Sequence, residues 1–326
     1  MGKRIEFFIS AILLLIVSST GVSLASDEAK KFEIVSTTSM IADVARNIVG
    51  EKGMVKALMG TGIDPHLYKP TRSDMLTLIN GNVIFYNGLF LEGKMQSALE
   101  RMKAAQKKVF AVGELIDKEL LHQPPEFAGH FDPHIWMDPS IWIRVVDVVG
   151  EELSNFDPDS REYYAANVEA YKSEMRALDE YAKRVLGTVP TNGRIIITAH
   201  DAFHYFGKRY GFKVLGIQGI STESEAGVRD IEKIIDLIVT RKIKAVFVET
   251  TVADRNVRAL VEGSRMRGHE VLIGGALFSD AMGKSGTYEG TYIGMIDSNV
   301  TTIARALGGD APARGMHGKL ELVVGR

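Results

Sequence analysis

The chain has 326 residues, 45% of them hydrophobic and 25% charged, the balance of a soluble globular protein with room for one large domain or two ordinary ones. A net charge of −2 gives no electrostatic reason to expect nucleic acid or an anionic membrane as partner. There is no cysteine, which excludes disulfides, thiolate zinc sites and a lipid-modified N-terminal cysteine, so any metal must be held by nitrogen and oxygen.

Met1-Gly-Lys-Arg4 is basic, Ile5 to Val17 is apolar, and Ser23-Leu-Ala25 offers the small residues a signal peptidase reads. The apolar run is short for a membrane span and is interrupted by Glu6 and Ser10. Residues 1–25 are therefore expected to be a cleaved signal peptide, and the mature protein to be free in a periplasm.

Phe32 to Thr37 is rich in β-branched and aromatic residues and predicts a strand. Ser39 is the expected cap of a helix through Val49, with Gly50 as its stop. Met54 to Leu58 predicts a strand. The glycines and prolines of Gly60 to Pro70 predict a loop. Helix (Ser73 to Ile79), strand (Val83 to Tyr86), helix (Met95 to Ala104) and strand (Lys108 to Val112) follow. This alternation predicts a mostly parallel sheet with helices on its faces.

His130-Phe-Asp-Pro-His-Ile-Trp-Met-Asp138 concentrates two histidines and two carboxylates beside one of two tryptophans. Pro133 biases Asp132 away from helix, so the stretch predicts a rigid loop or a helix start. Next, Asp157-Pro158 predicts an N-cap with proline at the first helical position, and Gly187 a stop. Tyr164, Val168, Tyr171, Met175, Leu178, Ala182 and Val185 form the apolar stripe between them. About thirty residues of helix span roughly 45 Å, long enough to lie across two lobes. Alternation then resumes: strands at Arg194 to Thr198, Lys213 to Ile217, Ala245 to Glu249 and Glu270 to Ile273, and helices at Asp201 to Tyr210, Glu225 to Arg241, Asn256 to Arg267 and Tyr292 to Leu307. The expected organisation is an N-terminal α/β lobe (30–156), a linking helix (157–187), a C-terminal α/β lobe (188–308) and a tail (309–326).

Four positions fall just past a strand or in a rigid loop: His66, His134, His200 and Asp280. Ligands bind outside the carboxyl ends of strands in open α/β sheets. Three imidazoles and a carboxylate make a nitrogen/oxygen set for Zn²⁺, or for Mn²⁺ if the carboxylate binds through both oxygens. Taken singly, each histidine is more often a solvated loop residue, and only the shared placement lifts the set. Gly274-Gly275 lacks the pattern of a phosphate loop, which sets nucleotides aside.

From Phe32 to about Leu307 the chain resembles the solute-binding proteins of bacterial zinc/manganese ABC importers (cluster A-I). The stretches that carry the resemblance are Gly62-Ile-Asp-Pro-His-Leu-Tyr68, Tyr86-Asn-Gly-Leu-Phe-Leu-Glu92, Phe131-Asp-Pro-His-Ile-Trp136, Thr198-Ala-His-Asp-Ala-Phe203, Gly219-Ile-Ser-Thr-Glu-Ser-Glu225 and Leu277-Phe-Ser-Asp-Ala-Met-Gly283. The resemblance implies one ion held between the lobes by His66, His134, His200 and Asp280, and a linking helix that limits hinge motion. The expected role is capture of the ion and its delivery to an ABC permease, and the protein is expected to be a monomer. In the manganese-dedicated branch the position matching His200 is a glutamate. In the zinc-dedicated branch a long His- and acid-rich loop precedes the second ligand, whereas here Glu114 to Gly129 is short and holds only His122. The ion is therefore left as Zn²⁺ or Mn²⁺.

Glu249, Asp64, Asp138 and Asp201 lie near these positions and are candidates to orient a ligand from behind, with helix or turn capping as the alternative. His130 is expected to be solvated, and His122, His204, His269 and His317 to be ordinary. Trp136 is expected to pack. A zinc metallohydrolase would use the same ligands with Glu249 as base. An adhesin-type surface protein is a further alternative, without a repeat or stalk to support it.

Overall fold

Residues 31–127 and 129–321 are described by the computed structural model, so the expected signal segment lies outside the described residues. β1 (Phe32–Ser36) buries Ile34 and Val35 completely. It leads into α1 (Ser39–Val49), whose cap is Thr38, one residue before the expected Ser39; the Thr38 hydroxyl accepts the Ile41 N–H. β2 (Gly53–Ala57), α2 (Arg72–Asn80), β3 (Val83–Tyr86), α3 (Gln96–Ala104) and β4 (Lys108–Ala111) follow. At the start of α2, Thr71 and Asp74 form a reciprocal capping box. The four strands make a parallel sheet in the order β2-β1-β3-β4, which puts their carboxyl ends on one edge.

α4 (Pro139–Phe156) is a helix of 18 residues that the sequence reading leaves unassigned. Pro139 sits in its first turn, and the Asp138 carboxylate caps it by accepting the Ser140 N–H at 2.8 Å and its hydroxyl at 2.6 Å. The long helix, α5 (Arg161–Leu186), is shorter than expected: Pro158–Ser160 form a separate 3₁₀ turn before it. Asp157 does not cap that turn; its carboxylate accepts the Tyr164 hydroxyl at 2.7 Å. Twenty-six residues still span about 39 Å.

β5 (Ile195–His200), α6 (His204–Tyr210), β6 (Lys213–Gln218), α7 (Val228–Arg241), β7 (Ala245–Glu249), α8 (Arg255–Met266), β8 (Leu272–Leu277) and α9 (Tyr292–Ala306) complete the chain. β5 pairs with β6 and β7 with β8, both in parallel, and β5 lies beside β7. β8 starts two residues later and ends four later than the pattern predicts, because α9 packs directly on its Gly274 and Gly275. The fold is thus α/β, with parallel sheets flanked by helices.

α5 packs on α1 and α4 from the first half and on α6 and α9 from the second. Its Tyr171, Met175 and Leu178 belong to one buried apolar cluster that also takes in Ile34 and Phe85 from the first sheet and Ile196 and Phe247 from β5 and β7. From Phe32 onward the chain is one compact unit. Among the described residues, no helix is long and apolar enough to cross a membrane.

Candidate metal centre

Two of the candidate positions are built on the same triplet, Asp-Pro-His. In the loop after β2, the Asp64 carboxylate accepts the His66 backbone N–H at 2.8 Å. In the loop before α4, Asp132 accepts the His134 backbone N–H at 3.0 Å. Each is an aspartate turn closed two residues on, with proline fixing the backbone between. The second oxygens differ. Asp64 Oδ2 accepts the Thr222 hydroxyl at 2.6 Å. In the other turn, the single oxygen Asp132 Oδ1 also takes the His134 ring Nδ1 at 2.7 Å.

The His134 loop is tied down further. Asn87 Nδ2 donates to Pro133 O at 3.1 Å. Asn87 belongs to a turn in which Leu89 and Phe90 both hold positive φ, 53° and 70°. The buried Glu92 carboxylate keeps that turn in place by accepting the Thr37 hydroxyl (2.6 Å) and the N–H groups of Asn87 (2.8 Å) and Gly88 (3.1 Å). Trp136 Nε1 donates to Ser279 O at 2.7 Å, which joins the His134 loop to the residue before Asp280. Trp136 is wholly buried, so it both packs and positions.

His200 is the last residue of β5 and Glu249 the last of β7. These strands are neighbours, so the two side chains meet: His200 Nδ1 donates to Glu249 Oε2 at 2.5 Å, and the His200 backbone N–H to Oε1 at 2.8 Å. A carboxylate on Nδ1 leaves Nε2 as the free nitrogen, for His134 as for His200. Asp280 follows β8 on the loop that carries Ser279.

The four side chains converge, with one ligand atom from each within 4.8 Å of all the others. His134 Nε2 lies 3.3 Å from His66 Nε2, 3.4 Å from His200 Nε2 and 3.4 Å from Asp280 Oδ1. His200 Nε2 is 3.2 Å from Asp280 Oδ2, and His66 Nε2 is 3.9 Å from the same oxygen. Tetrahedral bonds of about 2.0–2.1 Å place donor atoms about 3.3–3.4 Å apart. Three of the five separations match that edge, and a fourth, His200 Nε2 to Asp280 Oδ2, is 0.1 Å shorter. All four groups are at most 3% exposed, and both Asp280 oxygens are buried without a hydrogen-bond donor. A buried carboxylate facing three ring nitrogens needs positive charge beside it, supplied either by protons on the rings or by a cation between them. The arrangement can hold one divalent ion.

Burial lowers the His66 pKa to about 3, so that ring is neutral. Burial also opposes charge on His134 and His200, but carboxylates outweigh it. Asp132 and Asp280 raise His134 to about 9, and Glu249 and Asp280 raise His200 well above 6.5. Asp280, despite its burial, is held well below the carboxylate range by His200 and His134.

The remaining candidates are distributed as follows. Glu249 and Asp64 touch His200 and His66 as described. Asp138 caps α4, with Arg209 Nε 3.6 Å away. Asp201 donates its backbone N–H to Gly219 O at 3.3 Å. His130 stacks on Phe90, ring centroids 4.2 Å apart. His122 and His204 are less ordinary than expected: their rings stack at 3.7 Å, almost parallel. Asp132 was missed as a candidate that orients His134. The repeated Asp-Pro-His triplet was a signal that could have found it.

The family described as "ZnuA: Zinc-uptake complex component A periplasmic" matches residues 34–306. The chain is 42% identical over 301 residues to the manganese-binding lipoprotein MntA of Bacillus subtilis (strain 168), covering 91% of this chain and 98% of that protein. It is also 42% identical over 274 residues to the zinc-binding protein TroA of Treponema pallidum (strain Nichols), covering 84% and 88%. The solved structure of the periplasmic zinc-binding protein TroA from Treponema pallidum superposes with a TM-score of 0.82, covering 85% of this chain and 99% of that one.

Proposed function

The chain belongs to the ZnuA family of zinc-uptake components, and on that premise we propose that it captures one Zn²⁺ or Mn²⁺ outside the cytoplasm and hands it to an ABC permease. His66, His134, His200 and Asp280 are the proposed ligands. The observation that carries this reading is the Asp280 carboxylate, buried with both oxygens unpartnered and faced by three ring nitrogens. His66 and His134 come from the first half of the chain, His200 and Asp280 from the second. Separating the pairs would leave two half-sites of much lower affinity, which is the proposed route of release.

The donor set suits both ions. Three imidazoles and one carboxylate oxygen complete a four-coordinate zinc shell; a two-oxygen Asp280 gives the larger shell manganese takes. MntA and TroA, named for different metals, are equally identical to this chain and favour neither. We read the chain as a carrier and not a metallohydrolase. Glu249, the base a hydrolase would need, has both oxygens engaged by His200. The proposed setting is a periplasm, reached through a cleaved segment 1–25. MntA is named a lipoprotein; the absence of cysteine here supports an unlipidated form. The protein is proposed to act as a monomer without nucleic acid.

The test is metal analysis of protein purified without added metal, followed by competition between Zn²⁺ and Mn²⁺. One ion per chain, held at neutral pH, is expected. Protein that takes up no divalent ion overturns the proposal. Tight zinc binding alone does not assign the cargo, because zinc outcompetes manganese at most nitrogen/oxygen sites.

A further inference from the structure

His66 is held differently from the other two histidines. His134 and His200 each have a carboxylate on the ring, whereas His66 is fixed through its backbone by Asp64. The loop that carries it leaves the first sheet and leans on the second half of the chain. Thr61 Oγ1 donates to Gly283 O at 2.9 Å. Gly62 takes a φ of 73°, and a side chain there would reach the Thr250 carbonyl. Asp64 then takes the Thr222 hydroxyl on the oxygen that His66 leaves free.

Thr222 stands on the segment after β6, residues 219–226, and is 9% exposed. That segment is braced from below, where Gln218 Nε2 donates to Ser224 O at 3.1 Å. It meets the first half twice: through Thr222 on Asp64, and through Glu223 on Lys94 at 3.0 Å. The two contacts are unequal. The hydroxyl-to-carboxylate bond is short, charge-assisted and largely shut from water. The ion pair lies in solvent, with Glu223 half exposed, where such pairs contribute little.

We propose that Thr222 is a positioning residue that latches the metal site: its hydroxyl clamps Asp64, Asp64 fixes His66, and ion release requires this bond between the two halves to break. The inference rests on the proposed function. It adds a residue that touches no metal yet sets the residence time of the ion. Breaking the clamp frees the His66 loop from the second half of the chain, the step that lets His66 and His134 part from His200 and Asp280. Thr222 therefore acts on dissociation far more than on capture, as changes within one interface generally do.

The test is zinc release from the loaded full-length protein into excess chelator, followed by stopped flow. Thr222→Val keeps the shape and removes the donor. It is expected to bind one ion per chain, to release it about tenfold faster or more, and to leave the melting temperature of the empty protein within about 2 °C. Thr222→Ala gives the same acceleration with less bulk, should the valine disturb folding. Thr222→Ser restores the donor and returns the rate to within about threefold of wild type. Glu223→Gln stays within about threefold as well. Wild-type protein that binds one ion, with Thr222→Val and Thr222→Ala releasing it within twofold of the wild-type rate, overturns the latch alone. Wild-type protein that binds no ion overturns the proposed function and the latch with it.

Discussion

Asp280 and the three histidines carry a pH dependence that follows from their partners. In the metal-free protein His134, with its pKa raised to about 9, and His200, raised well above 6.5, hold protons at neutral pH, while His66 does not. Only neutral imidazoles bind a metal, so loading near pH 7.5 should expel about two protons. Affinity should fall as the pH falls. Titration calorimetry in buffers of different ionisation enthalpy measures the number; a heat independent of buffer contradicts it. The raised values of His134 and His200 stabilise the metal-free fold below the ordinary histidine value of 6.5, and that contribution is lost as pH rises through about 9 for His134; the lowered His66 acts in the opposite sense. Replacement should grade by distance from the ion. His66→Ala and Asp280→Ala each remove a proposed ligand and should weaken binding by more than about a hundredfold. Asp132→Asn and Glu249→Gln remove only a ring's support and should cost about ten- to a hundredfold. Equal losses in both classes, read by competition titration, would sink the assignment.

Among the elements, α4 and its contact with α5 show where sequence patterns stop being informative. Ile141, Ile143, Val145, Val146, Val148 and Val149 give the segment a strand-like composition, yet it is helical. Burial of Trp142, Val145, Val149 and Leu153 against the core overrides the local preference of branched side chains. Gly150 lies where α4 approaches α5, and a Cβ there would run into Val168 Cγ2. Gly150→Ala therefore sets two effects against each other. Helix propensity favours alanine by about 1 kcal/mol; overpacking against a stiff valine costs about 1–3 kcal/mol. A net loss of about 1 kcal/mol is expected in denaturant unfolding, and a gain would show that α5 yields. The strands and most helices were legible because their periods and caps are local. The four candidate site positions were legible because His66 and His134 follow a proline, Asp280 follows a strand and His200 ends one. The Asp-Pro-His triplet does not show that its two aspartates act differently: only the contacts, the Thr222 hydroxyl on Asp64 and a ring nitrogen on Asp132, tell them apart. Thr222 itself lies 158 residues from Asp64, beyond any pattern a sequence window can hold.

At the scale of the whole molecule, one apolar cluster runs from β1 through α5 to α9. Neither half can expose its side of that cluster without the other, so calorimetry should record a single unfolding transition rather than two. An ion bound by residues of both halves should raise that transition as a unit. At a free concentration a hundred times the dissociation constant, the gain is about 2.7 kcal/mol, and a chelator should abolish it. A loaded protein with two resolved transitions would show that the halves melt separately. The length of α5, buried against both halves, has one more consequence for the proposed carrier. A receiver has to know whether the messenger brings cargo or comes empty-handed. A stiff spine would keep the overall posture of the two forms nearly the same, and the news could then not be written there. It has to be written at the rim, in the residues around His66 and Thr222, and the receiver must read that edge by touch.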